Sequence, residues 1–526
     1  MLPQITSHLR SWKRLFGTQA QPVPQAPLTT QRASFWHLAQ QPGTSLPLFV
    51  RESAAALKYL SLLGALDWEH FPERESGRAW PGTTPAPRAP LAAAFLIKLD
   101  KGLKSMSKLR EYLVEQPALT WVLGFPLQAS SAYSWGFDVD ASLPTHRHMS
   151  RILRELPRIQ SEFLLRSSVH LLKNALPSQL GFGDEISLDT KHIIAWVREN
   201  NPKEFVKGGR FHKDKQPKGD PDCKVGFKAN GNQPRSTAQS QPTPSSPVTP
   251  PTPTSVTPAC EGTPVSQLAI ALNQQADGNY YWGYASGVVA TKVAEWGEFV
   301  LAEMTQTFNH SEQSYFLPLM AQTELNLGYK PKRGALDAAF DAFYVHEYFA
   351  PTTEEPTRFA AVPWADRADH KKQFDADGLP LCEAGLSMPL KGKVQKKSHC
   401  LVPHEIGRYV CPLLHPDKTG ETCPINHKNW LRTGNEQGCI TTLPTSIGNR
   451  MRHQLDRFSD DYKQLYKQRT ASERINSQAL DLGIERPKLR NQRSIANQNT
   501  LIYVLINLRG LQRVAEHKAK LAHLKS

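Results

Sequence analysis

Two hydrophobic periods divide this chain of 526 residues, and the point where one gives way to the other limits the possible folds most strongly. From about Ser53, apolar residues recur at helical spacing: Leu57, Leu60, Leu63 and Leu66, then Leu91, Phe95 and Leu99. A third helical segment, Met106 to Val122, carries Leu109, Leu113 and Leu119. A fourth follows Pro144, with Thr145 placed to cap it and Arg147 and Arg151 in its first turns. A helix that begins this way can enter a major groove or present a solvated face, and the residues leave both readings open. At Ile186 the period falls to two. Ile186 to Thr190 alternates apolar and polar and runs on into Ile193-Ile194-Ala-Trp196, the pattern of a half-buried strand.

Beyond that switch, strand-like Tyr280 to Val289 and Phe299 to Met304 come first. Helix-like Ser311 to Leu325, strand-like Gly334 to Asp337, helix-like Ala342 to Phe349 and strand-like Phe359 to Val362 follow. Strands with interleaved helices predict a mixed α/β sheet behind an all-helical N-terminal domain. The expected divisions are a poorly ordered lead-in at 1–50, a helical domain at 51–175 and the first part of the sheet domain at 180–370. An extended Pro/Ser/Thr linker at 233–264 interrupts that domain, a loop-rich cysteine-containing insertion covers 371–445, and a charged helix and basic tail occupy 446–526.

A net charge of +15 favours a polyanionic partner, nucleic acid before a membrane surface. The segment 484–526 alone has nine Lys and Arg against two Glu. The longest strongly apolar run, Leu501 to Leu508 with only Asn507 polar, is too short to span a bilayer, and Met1 to Phe16 lacks the apolar stretch of a secretory signal. A cytoplasmic protein is expected. Seven cysteines, an odd number in a long chain, argue for free thiols or a metal site over a disulfide scaffold.

The most specific local pattern is Tyr466-x2-Arg469-x3-Glu473. On a helix these positions share one face, with Arg469 and Glu473 a turn apart. An arginine beside a carboxylate keeps it ionised, which suits a metal ligand, and also reaches phosphate; an ordinary surface ion pair has the same spacing. Two aspartates close predicted strands, Asp189 in Ile186 to Thr190 and Asp337 in Gly334 to Asp337. Carboxylates at strand ends, joined by one on a later helix, suit hard cations such as Mg²⁺ or Mn²⁺. Such a site can activate an attacking oxygen and stabilise the leaving oxygen at phosphorus. Asp184 and Asp341 are rivals for the first and second positions, and Asp341 is expected to cap the helix after it.

The segments SLDTKHIIAWV around Asp189, GALDAAFDAFYVHEYF around Asp337 and YKQRTASERIN around Glu473 resemble the DDE transposases of bacterial insertion sequences. The match is to the group with a Tyr-Arg-Glu motif and a ribonuclease H-like catalytic fold. The tail ERPKLRNQRSIANQNTLIYVLINLRG is similar to that group's C-terminus, and the likeness covers roughly residues 180–510. It implies metal-dependent cleavage and strand transfer at terminal inverted repeats and target DNA. It further implies assembly as a homodimer or higher on double-stranded DNA, in the bacterial cytoplasm at the nucleoid. Asp189, Asp337 and Glu473 would be the catalytic metal ligands, with Arg469 and Tyr466 beside them. The family often has a basic residue seven positions after the glutamate; here Leu480 stands there, so that DNA contact is either missing or supplied by Lys488 or Arg490. A nuclease without strand transfer and a repurposed, non-catalytic DNA-binding protein are the alternatives.

Five of the cysteines fall between Cys382 and Cys439. Cys400, Cys411, Cys423 and Cys439, with His415 and His427, are candidate structural zinc ligands, although no pair has the two-residue spacing of a zinc knuckle.

Overall fold

The computed structural model describes residues 46–73, 87–201, 210–229, 278–365, 371–430 and 438–524. The expected linker at 233–264 and nearly all of the expected lead-in lie outside these residues.

Among the described residues the helical region forms eight helices: α1 (Leu48–Arg51), α2 (Ala54–Leu63), α3 (Arg88–Asp100), α4 (Met106–Val114), α5 (Pro117–Leu123), α6 (Val139–Ser142), α7 (His146–Glu155) and α8 (Arg158–Ala175). A two-residue pairing, β1 (Gln128–Ala129) with β2 (Phe137–Asp138), precedes α6. The segment read as one helix from Met106 to Val122 is two, because Pro117 lacks the N–H an uninterrupted helix needs and opens α5 instead. Ser53 caps α2 and Thr145 caps α7, each hydroxyl accepting the backbone N–H three residues on at 3.2 Å.

The alternating segments form a six-stranded mixed sheet: β3 (Glu185–Ile194), β4 (Lys224–Ala229), β5 (Gly278–Val293), β6 (Gly297–Thr307), β7 (Arg333–Leu336) and β8 (Phe359–Ala361). Antiparallel β5 joins β3 on one side, with Asp189 opposite Val288, and β6 pairs with β5 beyond it. Parallel β7 joins the other side of β3, and β8 lies parallel to β7. Strand β4 pairs antiparallel with the first part of β5. Helices α9 (Phe316–Leu327) and α10 (Phe343–Tyr348) connect β6 to β7 and β7 to β8. Both faces are covered, as the period of two requires: Val288 packs into one core and Val289, its neighbour, into the other.

Residues 371–445 are more regular than expected, since β9 (Leu390–Lys396), β10 (His404–Val410) and β11 (Ile440–Pro444) form a three-stranded antiparallel sheet in the order β11-β10-β9. Helices α11 (Ile447–Gln454), α12 (Asp460–Tyr466), α13 (Thr470–Asp481) and α14 (Gln492–His523) follow.

The C-terminal stretch is not a tail. Every residue of α14 from Ser494 to Leu508 is buried, and the helix packs against β6, α8, α3 and α7. A helix buried on all sides belongs to a core, and only its last turns carry the expected exposed basic face. The helical region and the sheet are accordingly not separately cored. One cluster runs from Val50 and Phe95 through Leu165 to Ile193, Val288, Ile475 and Leu501. Among the described residues no helix is long and apolar enough to cross a membrane.

Candidate functional site

The site is built on the centre of the sheet. Parallel pairing sets Leu188 beside Leu336, so the residues that follow lie side by side: Asp189, which stands within β3 and not at its end as expected, and Asp337, just past the end of β7. Asp337 has an extended backbone (φ −74°, ψ 160°), and adjacent strands lie about 4.8 Å apart, so the two carboxylates start from neighbouring points. Asp337 also accepts the backbone N–H of Ala338 at 2.5 Å.

Helix α13 crosses β3 at the same level. The Ser472 N–H donates to the buried Ser187 Oγ at 3.1 Å, and Asn476 Nδ2 donates to Asp189 Oδ2 at 2.9 Å. These contacts fix the first turn of α13, from which Glu473 projects. Arg469 joins the set, with Nη2 3.4 Å from Asp337 Oδ2 and Nη1 3.3 Å from Glu473 Oε1. The expected single helix through Tyr466, Arg469 and Glu473 is instead α12, a tightened turn at Lys467–Arg469, and α13. The backbone stays right-handed throughout, so Arg469 and Glu473 still meet. Tyr466 stacks on Tyr462, with ring centroids 5.9 Å apart.

Burial, against the opposing pull of Arg469 and Asn476, pushes the Asp189 carboxyl up to about 6. The folded state therefore holds this proton more tightly than the unfolded chain does. The stability that the group contributes is fully present below the ordinary value of 3.8 and is lost as pH rises through 6. Asp189→Asn should stabilise the metal-free protein at pH 8 by up to about 3 kcal/mol and leave it unchanged near pH 3. Denaturant titrations in EDTA at the two pH values check this, and equal stabilities at pH 8 would mean the carboxylate is well solvated.

The rival aspartates have other partners. Asp341 does not cap a helix, because Ala342 holds the N-cap position of α10. Instead Asp341 is buried, accepts from Arg452 Nε and Nη2 at 2.8 Å each and from the Ala365 N–H at 3.1 Å, and faces His346. Asp184 pairs with Lys332 at 3.0 Å.

The expected DNA contacts are dispersed. Arg147 and Arg151 are exposed on α7, whose opposite face buries Met149, Ile152 and Leu153. Asn497 on α14 donates to the carbonyls of Leu153 and Leu156 at 2.9 Å, which fastens the end of α7 to the core. Lys488 is exposed. The Arg490 guanidinium lies 4.9 Å above the ring of Trp196, which is 50% exposed.

Of the expected zinc ligands, Cys411 and Cys439 come together, and Cys382, which the motif reading left out, joins them. Cys400 lies between β9 and β10 and donates to the Lys396 carbonyl at 3.4 Å. His415, Cys423 and His427 lie along the loop 412–430. Burial and its two thiol neighbours push the Cys439 thiol up to about 12. Among the described residues no three His, Cys, Asp or Glu side chains are gathered tightly enough to hold a metal ion as they stand. Sequence reasoning also missed Asn476, whose only signal was its position three residues after Glu473, on the same face of a helix.

No protein-family model matches the chain, and no curated protein matches it.

Proposed function

We propose that this chain is a DDE-type DNA transposase with a ribonuclease H-like catalytic fold, which binds terminal inverted repeats and catalyses strand cleavage and strand transfer. The observation that carries the reading is the adjacency of Asp189 and Asp337 on neighbouring parallel strands, with Glu473 tied to Asp337 through Arg469. The sheet supports it as well. Across the sheet the strands run β6, β5, β3, β7, β8, so that in chain order β3, β5, β6, β7 and β8 lie as third, second, first, fourth and fifth, and only β5 runs against the others, as in a ribonuclease H-like sheet.

The donor chemistry fits a divalent cation. Asp189, Asp337 and Glu473 supply hard oxygens, and Asn476 Oδ1 is buried beside Asp189 without a hydrogen-bond partner among the described residues. These residues would hold Mg²⁺ or Mn²⁺, which when bound supplies charge neutralisation at phosphorus and a more acidic attacking oxygen. The chain's own groups do the rest. Asn476 orients Asp189. Arg469, kept cationic between Asp337 and Glu473, has a planar fork suited to a phosphate oxygen of the scissile strand. Arg147 and Arg151 on α7, with Lys488 and Arg490, would hold duplex DNA by its phosphates, and assembly as a homodimer or higher on the DNA would bring two ends together.

The test supplies a pre-cut repeat end with a free 3′-hydroxyl, the full chain, Mg²⁺ and target plasmid. Joined product supports the transposase reading. Cleavage without joining would make the protein a nuclease, and tight binding with neither would make it a DNA-binding protein only.

A further inference from the structure

We propose that Cys382, Cys411 and Cys439 form a structural zinc site that fastens the inserted three-stranded sheet. This site is separate from the carboxylate cluster and does not depend on its reading. Backbone register brings the thiols together. Antiparallel pairing sets Val410 opposite Ile440, so the next pair outward is Cys411 opposite Cys439. The hairpin that carries Cys382 is tied to the same end of the sheet, because the Val410 N–H donates to the Pro389 carbonyl at 3.1 Å and Leu381 bridges Ser387 across the turn. Cys411 and Cys382 are the neighbours that act on the Cys439 thiol.

The local chain is shaped for this approach. Gly438 has φ +60°, and a Cβ there would stand 2.5 Å from Cys411 Cβ and 3.0 Å from its Sγ, so only glycine allows the two strands to close at this point. Cys382 and Cys411 each open a tight turn, their carbonyls accepting from the Gly385 N–H at 2.9 Å and the Leu414 N–H at 3.2 Å.

The insertion also needs a fastening. All seven residues of β9 are exposed, and Val394 is 69% exposed. The buried side chains Met388, Tyr409, Val410 and Leu413 of the insertion belong to none of the hydrophobic core clusters formed by the described residues. A small sheet with so little core is marginal without a staple, and soft thiolates select zinc for that task. A disulfide would join two of the thiols and strand the third. Zinc takes all three, releasing their protons, and leaves the fourth position to water or to a donor from the loop 412–430. The thiols are neighbours rather than a closed shell, and zinc–sulfur bonds of about 2.3 Å would draw them in.

The experiment is metal analysis of the full chain, purified under reducing conditions without chelator. About one zinc per chain is expected. Cys382→Ser, Cys411→Ser and Cys439→Ser should each lose it, while Cys400→Ser and Glu473→Gln should keep it. Cobalt substitution of the wild-type chain gives a second readout that does not depend on the folding of a cysteine variant: thiolate-to-cobalt charge-transfer bands are expected. Absence of both zinc and those bands, zinc retained in all three serine variants, or a disulfide between any two of the three cysteines would overturn the proposal.

Discussion

Replacing Asp337 with Ala is expected to lower strand cleavage by a factor of at least about 10³ and to leave DNA affinity within about twofold of wild type. Asp337 is 45% exposed and its side-chain contacts are the Ala338 N–H and Arg469, so its loss removes little packing. What it removes is one of two carboxylates held side by side, together with the partner that fixes one nitrogen of the Arg469 guanidinium. The split between cleavage and binding is the informative readout. Loss of both in parallel would mean that Asp337 acts through folding, and full cleavage would remove it from the site. Single-turnover cleavage and a binding titration on the same labelled duplex check the expectation.

The second large effect lies away from the site, where the helical region meets the sheet. Glu303 on β6 has a side chain with no exposure, and Arg158 at the start of α8 pairs with it at 2.8 Å. Arg158 also donates to Thr500 on α14 at 2.7 Å, and the Thr500 hydroxyl donates to the same carboxylate oxygen. Arg158→Met leaves a buried carboxylate without its cation and should reduce stability by about 3–5 kcal/mol at neutral pH. The double variant Arg158→Met with Glu303→Met should recover most of that loss, since replacing both members of a buried pair with apolar groups is often close to neutral. Equilibrium denaturation measures both. A cost for the single variant below about 1 kcal/mol would show that the pair is solvated and that the three elements are held by apolar packing alone.

The parts of the fold that could be read from the sequence are those where one physical rule dominates. Ile186 to Thr190 alternates because a strand covered on each face must still send neighbouring side chains to opposite sides, and Asp189 takes the polar phase of that alternation, on the same side as Ser187, where the chain reaches the site. The cap at Thr145 was legible because a hydroxyl before a helical run has one common use. The role of α14 was not legible. Asn497, Gln498, Asn499, Thr500 and Asn507 are all buried, and they make a core helix resemble a polar one. Their purpose appears only with their partners: Asn507 accepts the Val300 N–H at 2.8 Å and donates to the Val300 carbonyl at 2.8 Å, completing a strand edge where the β5–β6 register shifts. Strands β9 to β11 were hidden for the opposite reason. LKGKVQK faces water on both sides, so no period of two selects its residues. Asn476 escaped because a single amide on a helix has no signature until the strand beneath it is known, and Cys382 because its turn meets Cys411 and Cys439 only through the pairing of β10 with β11.

The most direct measurement compares wild type with Glu473→Gln on a labelled duplex that carries the DNA flanking this chain's own coding sequence, with Mg²⁺ or with EDTA. Glu473 is 49% exposed, so the isosteric change leaves the fold intact while removing one carboxylate charge from the cluster. Nicking by the wild type in Mg²⁺, none in EDTA and none by Glu473→Gln in either is the expected result. Nicking by Glu473→Gln at the wild-type rate, or binding without nicking by the wild type in any divalent metal, would contradict a catalytic role for Asp189, Asp337 and Glu473.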